Sequence, residues 1–220
     1  EKVKPLTWAA IGLAVFGMTA AHGQAPYPGK PVRLVVPYPP GGGNDTLARI
    51  FGQKLSESLG QQIIVENRPG AGTTIGTAFV ARAPADGYTL LLSSIATHAF
   101  SPHLYAKPGY DALRDFAPVT LLVIAPTLLV VNPALPVNSL KELVALAKKR
   151  PGQLEFASAG TGSSAHMLGE TFKSLAKIDI VQIPYKGGAP AVVGTISGEA
   201  QMMADPAASV LPHVKSGRLK

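Results

Sequence analysis

The sequence predicts an α/β fold made of two lobes, each a mostly parallel sheet flanked by helices. Three observations predict it. Strand-like apolar stretches alternate with helix-like stretches from residue 31 onward. Leu90, Leu91 and Leu92 are consecutively apolar, as expected of a strand that is covered on both faces. The alternation is interrupted near residues 124–128 and then resumes, which indicates a crossing from one lobe to the other.

The first lobe is assigned to residues 26–124. Its β-α-β-α-β order favours parallel strands joined by crossover helices. Leu47, Ile50 and Leu55 recur on one helical face, and the turn sequence PADG stops the second helix. The predicted strands are 32–37, 62–66 and 88–93, and the predicted helices are 45–59 and 73–82.

The second lobe is assigned to residues 125–220. Ser139, with Glu142 three residues later, has the pattern of a capping box. The apolar stretch 116–131 predicts two strands separated by Ala125 and Pro126. The further predicted strands are 154–157, 178–184 and 201–204, and the predicted helices are 139–149, 163–177, 190–197 and 211–215. Because this lobe has few strands and nothing returns to the first lobe, we expect the sequence to be truncated at its carboxyl end.

Residues 1–25 have the pattern of a cleaved signal peptide. Lys2 and Lys4 precede an apolar stretch at 6–21, and small residues at Gly23 and Ala25 are suited to cleavage. The apolar stretch is shorter than the ~20 residues of a membrane span, although an uncleaved anchor is the alternative. The chain has 0 Cys, so thiol catalysis and thiolate metal sites are excluded. We expect an exported, soluble protein, and the family resemblance given below implies that its compartment is the periplasm.

Charge and composition narrow the possible partners. The chain has 220 residues, a net charge of +7 and 46% hydrophobic residues, so a substantial core is expected. The longest basic run, at 148–150, has no interleaved aromatic side chains, which disfavours nucleic acid. The thinly spread positive charge is better suited to a small anionic ligand.

Four loops follow predicted strands and open predicted helices: 39–45, 93–94, 159–164 and 185–188. Ligands bind at this end of the strands in open α/β sheets, and helix N-termini favour anions. Each loop alone could be an ordinary tight turn. Together they carry Ser, Thr, Gly and Lys with hardly any carboxylate, which favours an anion site.

The sequence supports a dinucleotide site, a hydrolase site or a metal site less well than an anion site. Residues 70–76 read GxGxxxG rather than a dinucleotide fingerprint, and no G-x-S-x-G elbow is present. Ser163 and His166 do not by themselves specify a nucleophile–base pair, and His166 with Glu170 lacks a third metal ligand. Lys186 could form a Schiff base or contact an anion. Asp205 could contact a ligand or cap a helix. We expect no metal and no cofactor.

Six motifs, in this order and at these spacings, resemble the extracytoplasmic solute receptors of tripartite tricarboxylate transporters, the Bug family. They are YPPGGGND at 38–45, VENRPGAGTTIG at 65–76, PADGYTLLLSS at 84–94, GTGSSAH at 160–166, PYKGGAPA at 184–191 and GEAQMMAD at 198–205. The resemblance extends from about residue 27 to residue 220. Ala204 stands where members of the family often have Phe, which implies a roomier pocket.

The resemblance implies a two-lobed Venus flytrap that closes on a small carboxylate and performs no chemistry. It also implies a monomer that meets integral-membrane transporter subunits transiently. An exported α/β enzyme acting on a carboxylate and a sensory receptor remain the alternatives. The ligand-binding residues that it implies are Gly42, Gly43, Asn44, Asp45, Ser93, Ser94, Gly160, Thr161, Ser163, His166, Tyr185, Lys186, Gly187 and Asp205, with Thr97 as a further candidate.

Overall fold

Two sheets with their flanking helices form the protein in a computed structural model that describes residues 26–220. The predicted signal peptide therefore lies outside the described residues. The first lobe comprises β1 (Val32–Val36), α1 (Gly43–Leu59), β2 (Ile63–Asn67), α2 (Thr74–Ala81) and β3 (Thr89–Leu91), followed by a π-helical turn (Ala96–Phe100) and α3 (Ser101–Leu104). Its three strands form a parallel sheet in the order β2-β1-β3.

The second lobe comprises β4 (Thr127–Val131), α4 (Leu140–Lys149), β5 (Glu155–Ser158), α5 (Ser164–Ala176), β6 (Val181–Pro184), α6 (Gly188–Ser197), β7 (Met202–Pro206) and α7 (Ala207–Lys215). Its four strands form a sheet in the order β4-β7-β5-β6, in which β4 runs antiparallel to β7 and the other neighbours are parallel. The expected α/β architecture with mostly parallel sheets is confirmed.

Both faces of the second sheet are buried. Phe156 and Met202 belong to one apolar cluster, whereas the next residues, Ala157 and Met203, belong to another. Successive side chains of a strand point to opposite faces, so the consecutive apolar residues fill two separate cores. Helices therefore cover both sides of this sheet, and the strand ends are left as the place where a cleft can form.

One predicted strand is wrong. Residues 116–124 have no regular secondary structure, and Val119, Leu121 and Ile124 are exposed. The apolar sequence favours an extended chain, but a strand also needs a hydrogen-bonded neighbour. Within residues 26–220 no strand pairs with this segment. The sequence also gave no sign of α3, and α7 begins four residues before the predicted helix, at Ala207.

No helix among residues 26–220 combines the length and the apolar character needed to cross a bilayer.

Candidate functional site

A cavity of about 220 Å³ lies between the two sheets, where loops from both lobes face each other. Its lining combines backbone from glycine-rich loops, hydroxyl groups, one acidic side chain and several apolar side chains. The lining residues are Tyr38, Pro39, Gly42, Gly43, Asn44, Leu47, Ser94, Ile95, Ala125, Thr127, Ala159, Ser163, Ser164, Ala165, Leu168, Gly188, Ala204, Asp205 and Pro206.

The N-terminus of α1 opens directly into this cavity. Gly42, the N-cap, is extended and no side chain caps the helix. The first intrahelical hydrogen bond is donated by Thr46 N to Gly42 O at 3.0 Å. The N–H groups of Gly43 and Asn44 precede that bond and have no partner within the helix. Both residues line the cavity, so they present N–H donors and the positive end of the helix dipole to its contents.

Two helices of the second lobe also begin at the cavity. Ser163 is the N-cap of α5, and its Oγ accepts a hydrogen bond from His166 N at 3.2 Å. Because the oxygen already accepts, the Ser163 hydroxyl proton remains free to donate. Ser164 and Ala165, in the first turn of α5, line the cavity together with Gly188, the first residue of α6. Three helix N-termini, one from the first lobe and two from the second, thus converge on one space.

A buried carboxylate holds the first glycine loop in shape. Asp45 accepts hydrogen bonds from Gly41 N at 2.9 Å, from Arg49 Nε at 3.0 Å and from Asn67 Nδ2 at 2.9 Å. Asn67 also donates to Tyr38 O at 3.1 Å, which fixes the start of the loop. Burial tends to raise the pKa of Asp45, but these donors outweigh it and hold the pKa below its usual value.

Hydroxyl groups from the first lobe complete the polar wall. The hydroxyls of Tyr38 and Ser94 share a hydrogen bond of 2.5 Å, and Ala96 N donates to Ser94 Oγ at 3.1 Å. Burial raises the pKa of Tyr38, so its hydroxyl stays protonated at neutral pH. Both side chains line the cavity, and because one hydroxyl proton is used in their mutual hydrogen bond, the pair has one proton left to donate.

Asp205, in β7, is the acidic side chain in the cavity wall. The residue is 6% exposed, and Ser209 donates a hydrogen bond to its Oδ2. Burial raises the pKa of Asp205 to about 6, against a lowering effect of the Ser209 hydroxyl. Among the lining residues that the structure describes, no lysine, arginine or histidine offsets this charge.

The two lobes touch each other through glycines. A Cβ atom on Gly43 would lie 2.9 Å from the ring carbons Cβ and Cγ of Pro206, and one on Gly187 would lie 2.8 Å from Cγ of Pro39. Such distances are shorter than a van der Waals contact, so any side chain would hold the lobes apart. The absence of a Cβ at these positions allows the observed approach.

Six of the residues implied by the resemblance line the cavity: Gly42, Gly43, Asn44, Ser94, Ser163 and Asp205. The others do not: Asp45, Ser93, Gly160, Thr161, His166, Tyr185, Lys186 and Gly187.

These other residues have different surroundings. Asp45 braces the glycine loop, and Gly187 packs on Pro39. Ser93 Oγ shares hydrogen bonds with Thr97 Oγ1 at 2.9 Å and His98 Nδ1 at 2.8 Å.

Tyr185 is turned toward α6. Its ring packs beside the apolar cluster that contains Val192 and Met203, and its hydroxyl abuts Gly194. Burial and the nearby Glu199 raise the pKa of Tyr185 to about 12. Thr161 and Lys186 are exposed. A direct ligand contact of Tyr185, Thr161 or Lys186 stays a prediction, which the geometry does not favour because none of the three lines the cavity.

Sequence reasoning missed the lining residues Tyr38, Leu47, Ile95 and Leu168, and it included Ser164 and Gly188 in the predicted anion-binding loops without naming them as ligand-binding residues. Helical spacing could have found some of them. Leu47 lies three positions after Asn44 in α1, and Leu168 lies four positions after Ser164 in α5, so each shares a helix face with a polar lining residue. Ile95 carried no such signal, because it precedes the unpredicted π-helical turn.

Among residues 26–220 no group of three or more His, Asp or Glu side chains has the geometry of a metal site. The cavity wall consists of helix N-termini, hydroxyl groups, the Asp205 carboxyl group and apolar side chains.

Residues 47–220 match the family model described as "Tripartite tricarboxylate transporter family receptor". The chain belongs to this family. Two relatives of the chain are Protein BugT of Bordetella pertussis, 42% identical over 96% of this chain, and the UPF0065 protein in the tcbD-tcbE intergenic region of Pseudomonas sp. strain P51, 38% identical over 96%. The chain spans 65% and 63% of their lengths.

Solved structures of periplasmic proteins have the same fold as this chain. It superimposes on a periplasmic transporter with a TM-score of 0.85 at 39% identity, and on R. palustris Rpa4515 with adipate with a TM-score of 0.84 at 36% identity. MatC of Rhodopseudomonas palustris with bound malate gives 0.81 at 33%. In each case the alignment covers 88% of this chain and 65–66% of the other. The fold is therefore the two-lobed periplasmic-binding-protein fold.

Proposed function

We propose that the protein is a periplasmic solute receptor that captures a small carboxylate between its lobes and delivers it to integral-membrane subunits of a tripartite tricarboxylate-type transporter. The observation that carries the proposal is the convergence of three helix N-termini on one cavity. Helix N-termini supply N–H donors and a favourable potential for an anion without a counter-charge. The family and the adipate- and malate-bound neighbours support a carboxylate as that anion.

Binding without chemistry is the second part of the proposal. Ser163 accepts the backbone N–H of His166 as a helix cap, and the His166 ring does not line the cavity. The pair is therefore arranged for capping rather than for nucleophilic attack. Donors on both lobes favour a mechanism in which the ligand stabilises the closed arrangement over an open one. Export by a cleaved signal peptide, lobe boundaries at 26–124 and 125–220, and a monomeric state belong to the same proposal.

A thermal-shift screen tests the carboxylate assignment. The purified protein is heated with di-, tri-, aliphatic and aromatic carboxylates, each paired with the corresponding neutral amide. A carboxylate at 100 times its dissociation constant stabilises by about 2.7 kcal/mol, which raises Tm by about 5–10 °C. The amides should have no effect, because they carry no charge for the helix N-termini to stabilise.

The screen has two adverse outcomes. If no carboxylate raises Tm, the carboxylate assignment is wrong. If a carboxylate raises Tm but is consumed at a rate proportional to protein concentration, the protein is an enzyme.

A further inference from the structure

A second cavity, of about 480 Å³, lies on the first lobe and shares no lining residue with the cleft. Val32 and Leu34 pack toward Ala48 of α1, so Arg33 between them points to the other face of the sheet, beside α2. We call this cavity the arginine pocket. Its lining residues are Arg33, Arg68, Ile75, Phe79, Arg82, Ala83, Pro84 and Thr89.

Two arginines of the pocket are held in fixed positions. Arg33 donates to Glu66 Oε2 from Nε at 2.9 Å and from Nη2 at 2.6 Å, and Arg68 Nε donates to Glu66 Oε1. Their guanidinium carbons lie 5.1 Å and 3.7 Å, respectively, from the centroid of the Phe79 ring. Burial tends to raise the pKa of Glu66, but the hydrogen bonds from the two arginines outweigh it and hold the pKa below its usual value. Glu66 is therefore an ionised brace that orients both arginines.

The pocket has more positive charge than Glu66 neutralises. Nη1 of Arg33 and both Nη atoms of Arg68 have no hydrogen-bond partner among residues 26–220. Arg82 is exposed, and its Nη2 donates a long hydrogen bond, 3.4 Å, to Gly109 O. Guanidinium groups bind carboxylates through a planar fork of N–H donors. Three such groups around one carboxylate leave donors for a further carboxylate.

Apolar side chains surround these donors. Ile75, in α2, is 55% exposed, and Phe79 lies one turn later on the same helix. Ile64, in β2 on the same face as Glu66, is 42% exposed. Arginine and aromatic side chains are enriched at protein–protein interfaces, and side chains that are already ordered lose little entropy on binding. An inorganic anion would leave the apolar side chains in water, whereas an acidic peptide segment with aliphatic residues would cover them.

We propose that the arginine pocket is a docking surface for an acidic segment of a protein partner. A Glu or Asp side chain of that segment binds Arg68 and Arg82, and a neighbouring aliphatic side chain packs on Ile75 and Phe79. This inference goes beyond the proposed function and does not depend on it. Because every lining residue belongs to the first lobe, the pocket keeps its shape whether the cleft is open or closed. The partner should therefore bind the ligand-free and the ligand-bound protein equally well.

A synthetic peptide tests the inference by NMR titration of the full chain. The peptide has neutral ends and glutamates on both sides of a pair of leucines, and its control has glutamine in place of each glutamate. We expect the acidic peptide to shift the Nε–Hε signals of Arg33, Arg68 and Arg82 in one saturable titration, and the glutamine peptide to leave them unchanged. Equal shifts from the two peptides, or no saturable shift from the acidic one, would overturn the inference.

Variants locate the contact. Arg82→Gln should weaken binding of the acidic peptide by about threefold, as expected for one partly exposed ion pair. Ile75→Ser should weaken it by about threefold through lost apolar contact. Both side chains are exposed, so Tm should stay nearly unchanged.

Arg114→Gln is the matched control. Arg114 is exposed, lies 3.8 Å from the carboxylate of Asp111 and does not line the pocket. Its replacement should leave the peptide affinity unchanged. A loss equal to that of Arg82→Gln would mean that the peptide responds to net charge rather than to the pocket, which would overturn the inference.

Sodium sulfate distinguishes a docked peptide from a small anion. If sulfate, with ionic strength matched by sodium chloride, shifts the arginine signals as strongly as the acidic peptide at equal concentration, the pocket is a small-anion site and the docking inference is wrong. Failure of the proposed function appears separately, in the thermal-shift screen. A carboxylate that raises Tm in that screen should leave the peptide affinity unchanged, and a change would contradict docking within one lobe.

Discussion

Two buried aspartates near the cleft have opposite surroundings. Asp45 receives hydrogen bonds from a backbone N–H, an amide and a guanidinium group, whereas Asp205 receives one from the Ser209 hydroxyl. Burial raises the pKa of both carboxyl groups, and only at Asp45 do the donors outweigh it. Asp45 thus remains charged as a brace for the glycine loop, while the charge of Asp205 is poorly stabilised.

Stability should therefore depend on pH through Asp205. Its pKa rises from 3.8 to about 6 on folding. Between pH 4 and pH 6 the folded protein binds more protons at Asp205 than the unfolded chain does, so the free energy of unfolding falls as pH rises. The stabilisation by the protonated carboxyl group is complete below pH 4 and is lost as pH rises through 6. Relative to wild type, the free energy of unfolding of Asp205→Asn should increase by up to about 3 kcal/mol between pH 4 and pH 8. Urea unfolding of both proteins at pH 4, 6 and 8 measures this difference.

A second variant checks the cause of that pH dependence. Ser209→Ala removes the donor that lowers the pKa of Asp205, so the stability loss should begin at the same pH and extend to a higher pH. If wild type and Asp205→Asn change in parallel across the whole range, Asp205 is not the titrating group.

The direction of single side chains was the least predictable feature. Ser93 and Ser94 are adjacent, yet Ser94 lines the cavity and Ser93 bonds to Thr97 and His98. Asn44 and Asp45 differ in the same way. The sequence placed both pairs at the end of a strand, but which member faces the cleft depends on backbone turns that composition does not determine.

At the scale of elements, local signals predicted most strands and helices. Ser139 and Glu142 indicated the start of α4, and Ser139 Oγ does accept from Glu142 N at 3.2 Å. Glu142 differs from the standard box, because its carboxylate accepts from Asn138 N rather than from Ser139 N. The segment 116–124 was mispredicted because strand formation depends on a neighbour distant in sequence, which an apolar pattern alone cannot supply.

Two serine caps permit a matched comparison. Ser139 and Ser163 each accept a backbone N–H at 3.2 Å, but only Ser163 lines the cavity. Ser139→Ala and Ser163→Ala should each reduce the free energy of unfolding by about 1 kcal/mol. Only Ser163→Ala should also raise the ligand dissociation constant, by about tenfold for a lost donor to a charged group.

Calorimetric titration and chemical unfolding of both variants measure the two quantities separately. Equal affinities in the two variants would remove the Ser163 hydroxyl from the site.

At the scale of the whole molecule, the glycines act between the lobes as well as toward the ligand. The backbone of Gly42 lies opposite Gly188, and Gly43 lies against the ring of Pro206. The sequence indicated glycines that let a ligand approach the backbone. It could not indicate the close approach of the lobes, because the two contacting loops are separated by more than a hundred residues.

Gly43→Ala should impair closure without damaging either lobe. Gly43 is a helical residue, and Ala favours the helix by about 1 kcal/mol, but its methyl group would collide with Pro206 when the lobes meet. We expect unchanged or higher Tm of the ligand-free protein and a dissociation constant raised more than about tenfold. Gly29→Ala is the control, because its Cβ would lie 3.6 Å from Pro26 O, an ordinary contact.

Small-angle scattering with saturating ligand provides an independent measurement, since the Gly43→Ala protein should remain more extended than wild type. Normal affinity and normal compaction would show that the Gly43–Pro206 contact does not limit closure.

In the proposed receptor, the division of helix N-termini between the lobes would determine how the affinity for the ligand arises. The α1 terminus is one half-site, and the α5 and α6 termini form the other. Each half-site alone offers an exposed anion only a few hydrogen bonds in competition with water, which is a weak interaction. Once one half-site has bound the ligand, the other meets it at the effective concentration set by the connection between the lobes, as in a chelate. Ligand escape then requires both half-sites to separate, so the residence time of the solute is governed by the opening rate of the lobes rather than by the strength of any single contact.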